Sequence, residues 1–215
     1  MNRSPSSPRR ALLAALAAAL SACSALALPS EPGAVLFQDD FSRPSSGWDR
    51  YRDSTYAADY HEGGYLVEIY LPNTDAWSTP RIDLGDVHIQ VDARRYAGPD
   101  DNLYGVLCRY QDPHNYVFLV ISSDGYAGVG VRRAGETQLL SGDVLLPHPA
   151  VQPGPAVNRL GAECVGDRFS LYVNGELAAS GQDPAWPRGD VGLLAGAYET
   201  PGVAVLFDNL SVMQP

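Results

Sequence analysis

Residues 158–180 read NRLGAECVGDRFSLYVNGELAAS, and this stretch decides the fold class. Two turn signals divide it. Val165-Gly166-Asp167-Arg168 suits a two-residue hairpin of type II′, with Gly166 at the position that needs positive φ. Val173-Asn174-Gly175-Glu176 suits type I′, where both central residues need positive φ. The first turn pairs 165 with 168, hence 164 with 169, 162 with 171 and 160 with 173. That register puts Leu160, Ala162 and Cys164 on one face with Phe169, Leu171 and Val173. A one-residue slip would scatter the set over both faces, so turn and pattern agree. Carried through Asn174-Gly175, the register places Ala178 opposite Leu171. The result is a three-strand antiparallel meander with one apolar side.

The same period of two extends outward. Residues 104–110 (YGVLCRY) form a strand with Val106 and Cys108 on one face and Arg109 on the other. Residues 111–115 (QDPHN) turn the chain. Residues 116–121 (YVFLVI) are apolar on both faces, which requires a strand covered on both sides. Residues 122–125 turn into a strand over 126–132. Val87, Ile89 and Val91 alternate within 81–93, and residues 203–212 (VAVLFDNLSV) form the last strand. Residues 146–155 hold four Pro and read as a rigid exposed connection. No stretch after residue 30 carries a 3.6-residue apolar period. About a dozen strands without a helix predict an all-β fold, a two-sheet antiparallel β-sandwich or jelly roll.

The chain has 215 residues, 21 Gly and 17 Pro, which suits short strands and tight turns. Residues 1–10 carry three Arg and no acid, and residues 11–20 (ALLAALAAAL) are wholly apolar. This is the n-region and h-region of a signal peptide. Leu20-Ser21-Ala22-Cys23 resembles a lipobox, whose Cys receives diacylglycerol before cleavage. The expected organisation is a signal peptide over 1–22, a lipidated Cys23 and tether over 23–34, and a jelly-roll domain over 35–215. Ala25-Leu26-Ala27 offers a competing A-x-A cleavage site that would discard Cys23 and secrete the chain. The expected location is the cell envelope, with the membrane reached through the lipid anchor only. All 15 basic residues are Arg, and past residue 10 there remain 12 Arg against 25 acidic residues, a formal charge near −13. That balance argues against nucleic acid as a partner, since phosphate contacts need a basic surface. Cys108 and Cys164 are an even pair in an exported chain and suggest a disulfide; two buried free thiols are the alternative.

Asp39-Asp40-Phe41-Ser42, Ser46-Gly47-Trp48, the 104–110 strand, Asn115-Tyr116, Asn174-Gly175, Asp190-Val191-Gly192-Leu193 and Phe207-Asp208-Asn209 occur in this order. Together they resemble the concanavalin A-like lectin/glucanase jelly roll, with laminin-G-like modules and those of "domain of unknown function 1080" the nearest subset. The resemblance covers about residues 35–213. It implies that first and last strands lie side by side. It also implies a structural Ca²⁺ near that junction, with Asp40 and Asp208 as the expected ligands, since Ca²⁺ takes hard oxygen donors.

The chemistry of the glucanase branch is absent. That branch needs E-x-D-x-x-E, which brings two carboxylates to one strand face. Glu62 and Glu68 have no Asp between them, and Glu163 stands alone between Ala162 and Cys164. His61, His88, His114 and His148 lack the spacing of a zinc site. No G-x-S-x-G elbow occurs, and Gly128-Val129-Gly130 lies in a strand hairpin with no helix to bind phosphate. A non-catalytic carbohydrate-binding or adhesion module is therefore the leading expectation, with a glycan or a surface protein as partner. The expected ligand face is the outward set Tyr104, Arg109, Tyr116 and Tyr126, rings and polar groups being what sugars stack and bond against. Trp48, beside a Gly turn, reads as packing. The alternatives are an enzyme of the 3-keto-glycoside type and a structural envelope protein without a small ligand.

Overall fold

A computed structural model describes Met1 and residues 31–184 and 186–215. The signal segment, Cys23 and most of the tether lie outside the described residues. Among the described residues there are sixteen strands and no helix. They are β1 (Val35–Asp39), β2 (Tyr51–Arg52), β3 (Tyr56–His61), β4 (Gly64–Ile69), β5 (Thr74–Ser78), β6 (Val87–Ala97), β7 (Asn102–Asp112) and β8 (Asn115–Ile121). After these come β9 (Tyr126–Arg133), β10 (Glu136–Leu139), β11 (Leu146–Pro147), β12 (Asn158–Val165), β13 (Arg168–Val173), β14 (Glu176–Gln182), β15 (Asp190–Ala197) and β16 (Val203–Met213).

Two sheets form. The larger runs β14-β13-β12-β6-β16-β4-β3-β2, with β1 also on β16. The smaller runs β10-β9-β8-β7-β15-β5, with β11 also on β9. The meander has the register its turns demand: Leu160 faces Val173, Ala162 faces Leu171, Cys164 faces Phe169 and Val165 faces Arg168. Asn174 and Gly175 both take positive φ, 53° and 89°, as type I′ requires. The expectation for Ala178 needs correction. A bulge between Leu171 and Tyr172 sets Leu171 opposite Ala179, because the bulged strand places two residues against one.

The inward faces of both sheets share one apolar core, which includes Leu160, Leu171, Ile89, Val91, Val117 and Leu119. Each such side chain contributes roughly 1.5–3 kcal/mol on leaving water. As expected, β8 is buried on both sides. Val117, Leu119 and Ile121 face this core. Tyr116, Phe118 and Val120 face a second cluster on the outside of the smaller sheet, under Trp77, Tyr110, Leu139 and Leu145. Cys108 and Cys164 are bridged and tie β7 of one sheet to β12 of the other. Trp48 is packing, edge-on to Phe41 at 5.4 Å.

Three further expectations shift. The alternating segment begins at Val87, and residues 81–86 are loop with a single bridge, Leu84 to Gly189. The Pro-rich connection is docked rather than free. Leu146 and Pro147 pair with Ala127 and Tyr126, His148 donates to the Gly125 carbonyl at 2.9 Å, and Val151 is buried. Most consequential is Arg109. Its φ is 55°, and the β7–β8 and β7–β15 registers both break there. The bulge exchanges the faces of two residues. Arg109 turns in between the sheets, where it is 1% exposed, and Tyr110 turns out beside Trp77.

β1 lies on β16, as the resemblance implies, with Asp39 opposite Leu210. β16 pairs with β4 over Val203 to Phe207 and with β1 from Leu210 onward. Asp208 and Asn209 sit at the change of partner, with Asn209 at φ 54°.

Candidate functional site

A groove opens where the edges of the two sheets meet. One side is the β2–β3 hairpin of the larger sheet; the other is β5, the edge strand of the smaller one, with the outward end of β7 beside it. Two hollows of about 470 and 500 Å³ adjoin and share Asp49, Thr79, Arg81 and Tyr110, so they are lobes of one groove. Each lies in the range of small-ligand cavities.

The first lobe is aromatic. Tyr51 and Tyr56 flank the hairpin turn and stack at 4.6 Å. Trp77 projects outward from β5 because Ala76 and Ser78 point inward. The Trp77 indole N–H donates to the Tyr110 hydroxyl at 3.2 Å, which orients both rings. Tyr116 lies beneath them, 5.7 Å from Trp77 and 6.0 Å from Tyr110. Burial pushes the Tyr110 and Tyr56 hydroxyls up, so both rings stay neutral and able to donate at neutral pH.

The second lobe is polar. Asp190 begins β15 and accepts the Ile82 and Val191 amides at 3.0 and 2.9 Å. Burial raises its carboxyl pKa, against the lowering effect of the Thr79 hydroxyl and those amides. The Asp190 brace holds the loop over 79–82, in which Arg81 adopts a left-handed φ of 62°. Such a conformation costs a non-Gly residue energy and persists where its surroundings over-determine it. Arg81 pairs with Asp49 at the seam between the lobes. Asp49 is itself placed by its carbonyl, which accepts the Tyr65 hydroxyl; that hydroxyl also shares a 2.7 Å hydrogen bond with Ser78.

The residues expected from the sequence to form a ligand face do not converge. Tyr104 belongs to the main core and is fully buried. Arg109 is buried by the β7 bulge. Tyr116 is 2% exposed and supports the groove from below without reaching its surface. Tyr126 is exposed, yet it lies six residues along β9 from Arg132, the partner of Tyr116. At 3.3 Å per residue that is roughly 20 Å away. The outward set is therefore corrected: Tyr104, Arg109 and Tyr116 are buried and Tyr126 stands apart, and for Tyr104 the period of two that turns Val106 and Cys108 inward already pointed to the core. Sequence reading missed Asp49, Tyr51, Tyr56, Trp77, Arg81 and Tyr110 as a group. The one available signal was the short alternation TDAWS over 74–78, with its large ring on the outward phase.

Asp40 accepts the Ser42 hydroxyl at 2.7 Å and the Ser42 amide at 3.1 Å, and these bonds lower its pKa. Asp208 opposes Asp92 of the neighbouring β6 and accepts the Asn209 amide at 2.7 Å. Burial raises its pKa, and Asp92 and Asp40 add to the effect. Asp92 is itself held by Arg159 at 2.9 Å. Among the described residues no group of three or more His, Cys, Asp and Glu is arranged to hold a metal ion. Asp40 caps the turn at Ser42 and Asp208 the turn at Asn209.

Fold and groove together define a class, the antiparallel two-sheet jelly-roll sandwich with a cleft at the sheet edges. Solved structures share this fold. A carbohydrate-binding module, CBM66 from Bacillus subtilis, superposes with TM-score 0.61 at 16% identity over 78% of this chain and 96% of that one. A Bacillus subtilis protein of unknown function with a galectin-like fold gives TM-score 0.64 at 13% identity over 86% and 97%. The GH43 protein BlXynB from Bacillus licheniformis gives 0.60 at 15% identity, but the chain spans only 39% of its length. At these identities the likeness is one of fold. No family model and no curated protein matches the chain.

Proposed function

We propose that this chain is a non-catalytic carbohydrate-binding module and that the edge groove is its glycan site. The observation that carries the reading is the groove itself. Trp77, Tyr110, Tyr51 and Tyr56 offer ring faces for the apolar C–H side of a sugar, and Asp49 and Arg81 beside them offer an acceptor and donors for its hydroxyls. The sandwich shared with a carbohydrate-binding module supports it at the level of fold.

The reading is tested by binding the purified protein to a broad glycan array, with Ca²⁺ and with chelator, alongside Trp77→Ala. Saturable binding to a defined glycan class, weakened about tenfold or more in the variant, is the expected result; removal of one central anchor costs on that order. No binding by folded protein, or binding that Trp77→Ala leaves unchanged, refutes the assignment. Loss with chelator would support a Ca²⁺ site at Asp40 and Asp208.

One observation favours catalysis: Asp190, with its raised pKa, shares a lobe with Asp49. Against it, Asp190 accepts backbone amides and Asp49 pairs with Arg81, contacts that favour the charged form of each and a positioning role. Turnover of any bound oligosaccharide, abolished by Asp190→Asn, would restore the enzyme reading.

We further propose export and lipid anchoring at Cys23, on the leader and lipobox pattern alone. Incorporation of labelled palmitate that is lost in Cys23→Ser is the expected outcome.

A further inference from the structure

We infer that the groove selects neutral glycans against carboxylate-bearing ones, and that Asp49 enforces the selection by occupying Arg81. The inference rests on the glycan-binding reading above and narrows it to a substrate class.

Among the described residues, each guanidinium bordering the groove is already matched. Arg81 pairs with Asp49. Arg50 holds Asp59 through two nitrogens, at 2.6 and 3.1 Å. Arg188 holds Asp83 at 3.0 Å. What remains over is Asp190, an acid whose partners are amides and a hydroxyl rather than a cation. A uronate or sialate entering the second lobe would meet no unmatched cation among the described residues and would face a fixed carboxylate. Like charges across an interface reject a partner. A neutral sugar meets no such cost, because hydroxyls both donate to carboxylates and accept from guanidinium.

The Arg81–Asp49 pair is placed for discrimination, not for stability. Its side chains are 74% and 45% exposed, a setting in which ion pairs contribute little to folding. Yet both ends are held: Arg81 by its left-handed backbone and the neighbouring Asp190 brace, Asp49 by the Tyr65 hydroxyl on its carbonyl. A pair of small folding value, fixed at the seam of two lobes, sets the charge a ligand meets there. Removal of the carboxylate frees a guanidinium, whose forked donors match a carboxylate in two-point contact.

The experiment uses calorimetry on the intact purified protein, Asp49→Asn and Asp49→Asn/Arg81→Gln. The neutral probes are lactose and cello-, xylo-, manno- and fructo-oligosaccharides; the acidic probes are sialyllactose and tetragalacturonate. Wild type is expected to favour its best neutral probe at least tenfold over either acidic probe. Asp49→Asn is expected to gain about tenfold for an acidic probe, more at low salt, and Arg81→Gln on that background to abolish the gain. Wild-type binding of acidic probes on a par with neutral ones, sensitive to Trp77→Ala, overturns the charge selection and leaves the glycan reading standing. An Asp49→Asn protein with wild-type selectivity overturns the role of Asp49. Silence from both sets of probes, in folded protein, overturns the glycan reading and the inference with it.

Discussion

Arg109 and Asp86 form an ion pair whose two halves are unequal, and the inequality makes a sharp prediction. Arg109 is 1% exposed, whereas the Asp86 side chain is 43% exposed. The guanidinium donates to Asp86 at 2.5 Å, to the Pro187 carbonyl at 2.8 Å and to the Cys164 carbonyl at 3.2 Å. Asp86→Asn therefore strands a buried cation. Breaking a fully buried pair costs about 3–5 kcal/mol, and the exposure of Asp86 discounts this to about 2–3 kcal/mol. Arg109→Met strands only a carboxylate that water can reach. It loses the carbonyl bonds but also removes a costly buried charge, for a net loss of about 1 kcal/mol. The double variant should lie near Arg109→Met, above Asp86→Asn. Urea unfolding reads this directly. With a slope of roughly 2 kcal/mol per molar for a chain of this size, Asp86→Asn shifts the midpoint by about 1 M or more. The pH profile adds a second reading. Burial pushes the Asp86 carboxyl up, but the Gly166 amide and Arg109 outweigh it and hold it below the usual carboxylate range. A depressed folded pKa means stability present at neutral pH and lost as pH falls below about 4. That acid limb should shrink in Asp86→Asn. If Arg109→Met proves the more damaging single change, or the double variant is the sum of the two, the burial argument is wrong.

Replacing Cys108 and Cys164 by Ala opens a cross-link 56 residues apart, and loop closure predicts a loss of about 4 kcal/mol in chemical denaturation. Gly189→Ala puts a Cβ 2.5 Å from the Arg109 carbonyl carbon and 2.6 Å from the Gln111 amide nitrogen, so it should lower the unfolding midpoint by an overpacking cost of about 1–3 kcal/mol. Asp190 gives the opposite pH sign to Asp86. Its raised folded pKa means the folded state binds the proton more tightly, so stability falls as pH rises from about 4 through that value, and a pH series on Asp190→Asn should show this limb flattened.

Much of the fold was legible in residue order. Asn174-Gly175 and Gly166 set a hairpin register, and the apolar set from Leu160 to Val173 could satisfy that register in one way only. The two-faced burial of Tyr116 to Ile121 followed from an unbroken apolar run. These inferences held because turn geometry and strand period are local properties. The candidate site was not legible. Its first lobe needs Tyr51 and Tyr56 from one sheet edge beside Trp77 and Tyr110 from the other, and no local pattern states which edges meet.

The decisive case is Arg109-Tyr110. Period two, counted from Cys108, sends Arg109 outward and Tyr110 inward, and the structure does the reverse. Residue order alone determined that residues 104–110 form a strand and that Val106 and Cys108 face the core. Tertiary structure decided that the strand bulges one residue later. The buried guanidinium finds Asp86 and the carbonyls of Cys164 and Pro187, from 23, 55 and 78 residues away, and those distant partners offset the left-handed backbone that turns it in. Tyr110 reaches the groove as a consequence, because one extra residue in a strand reverses the face of everything after it.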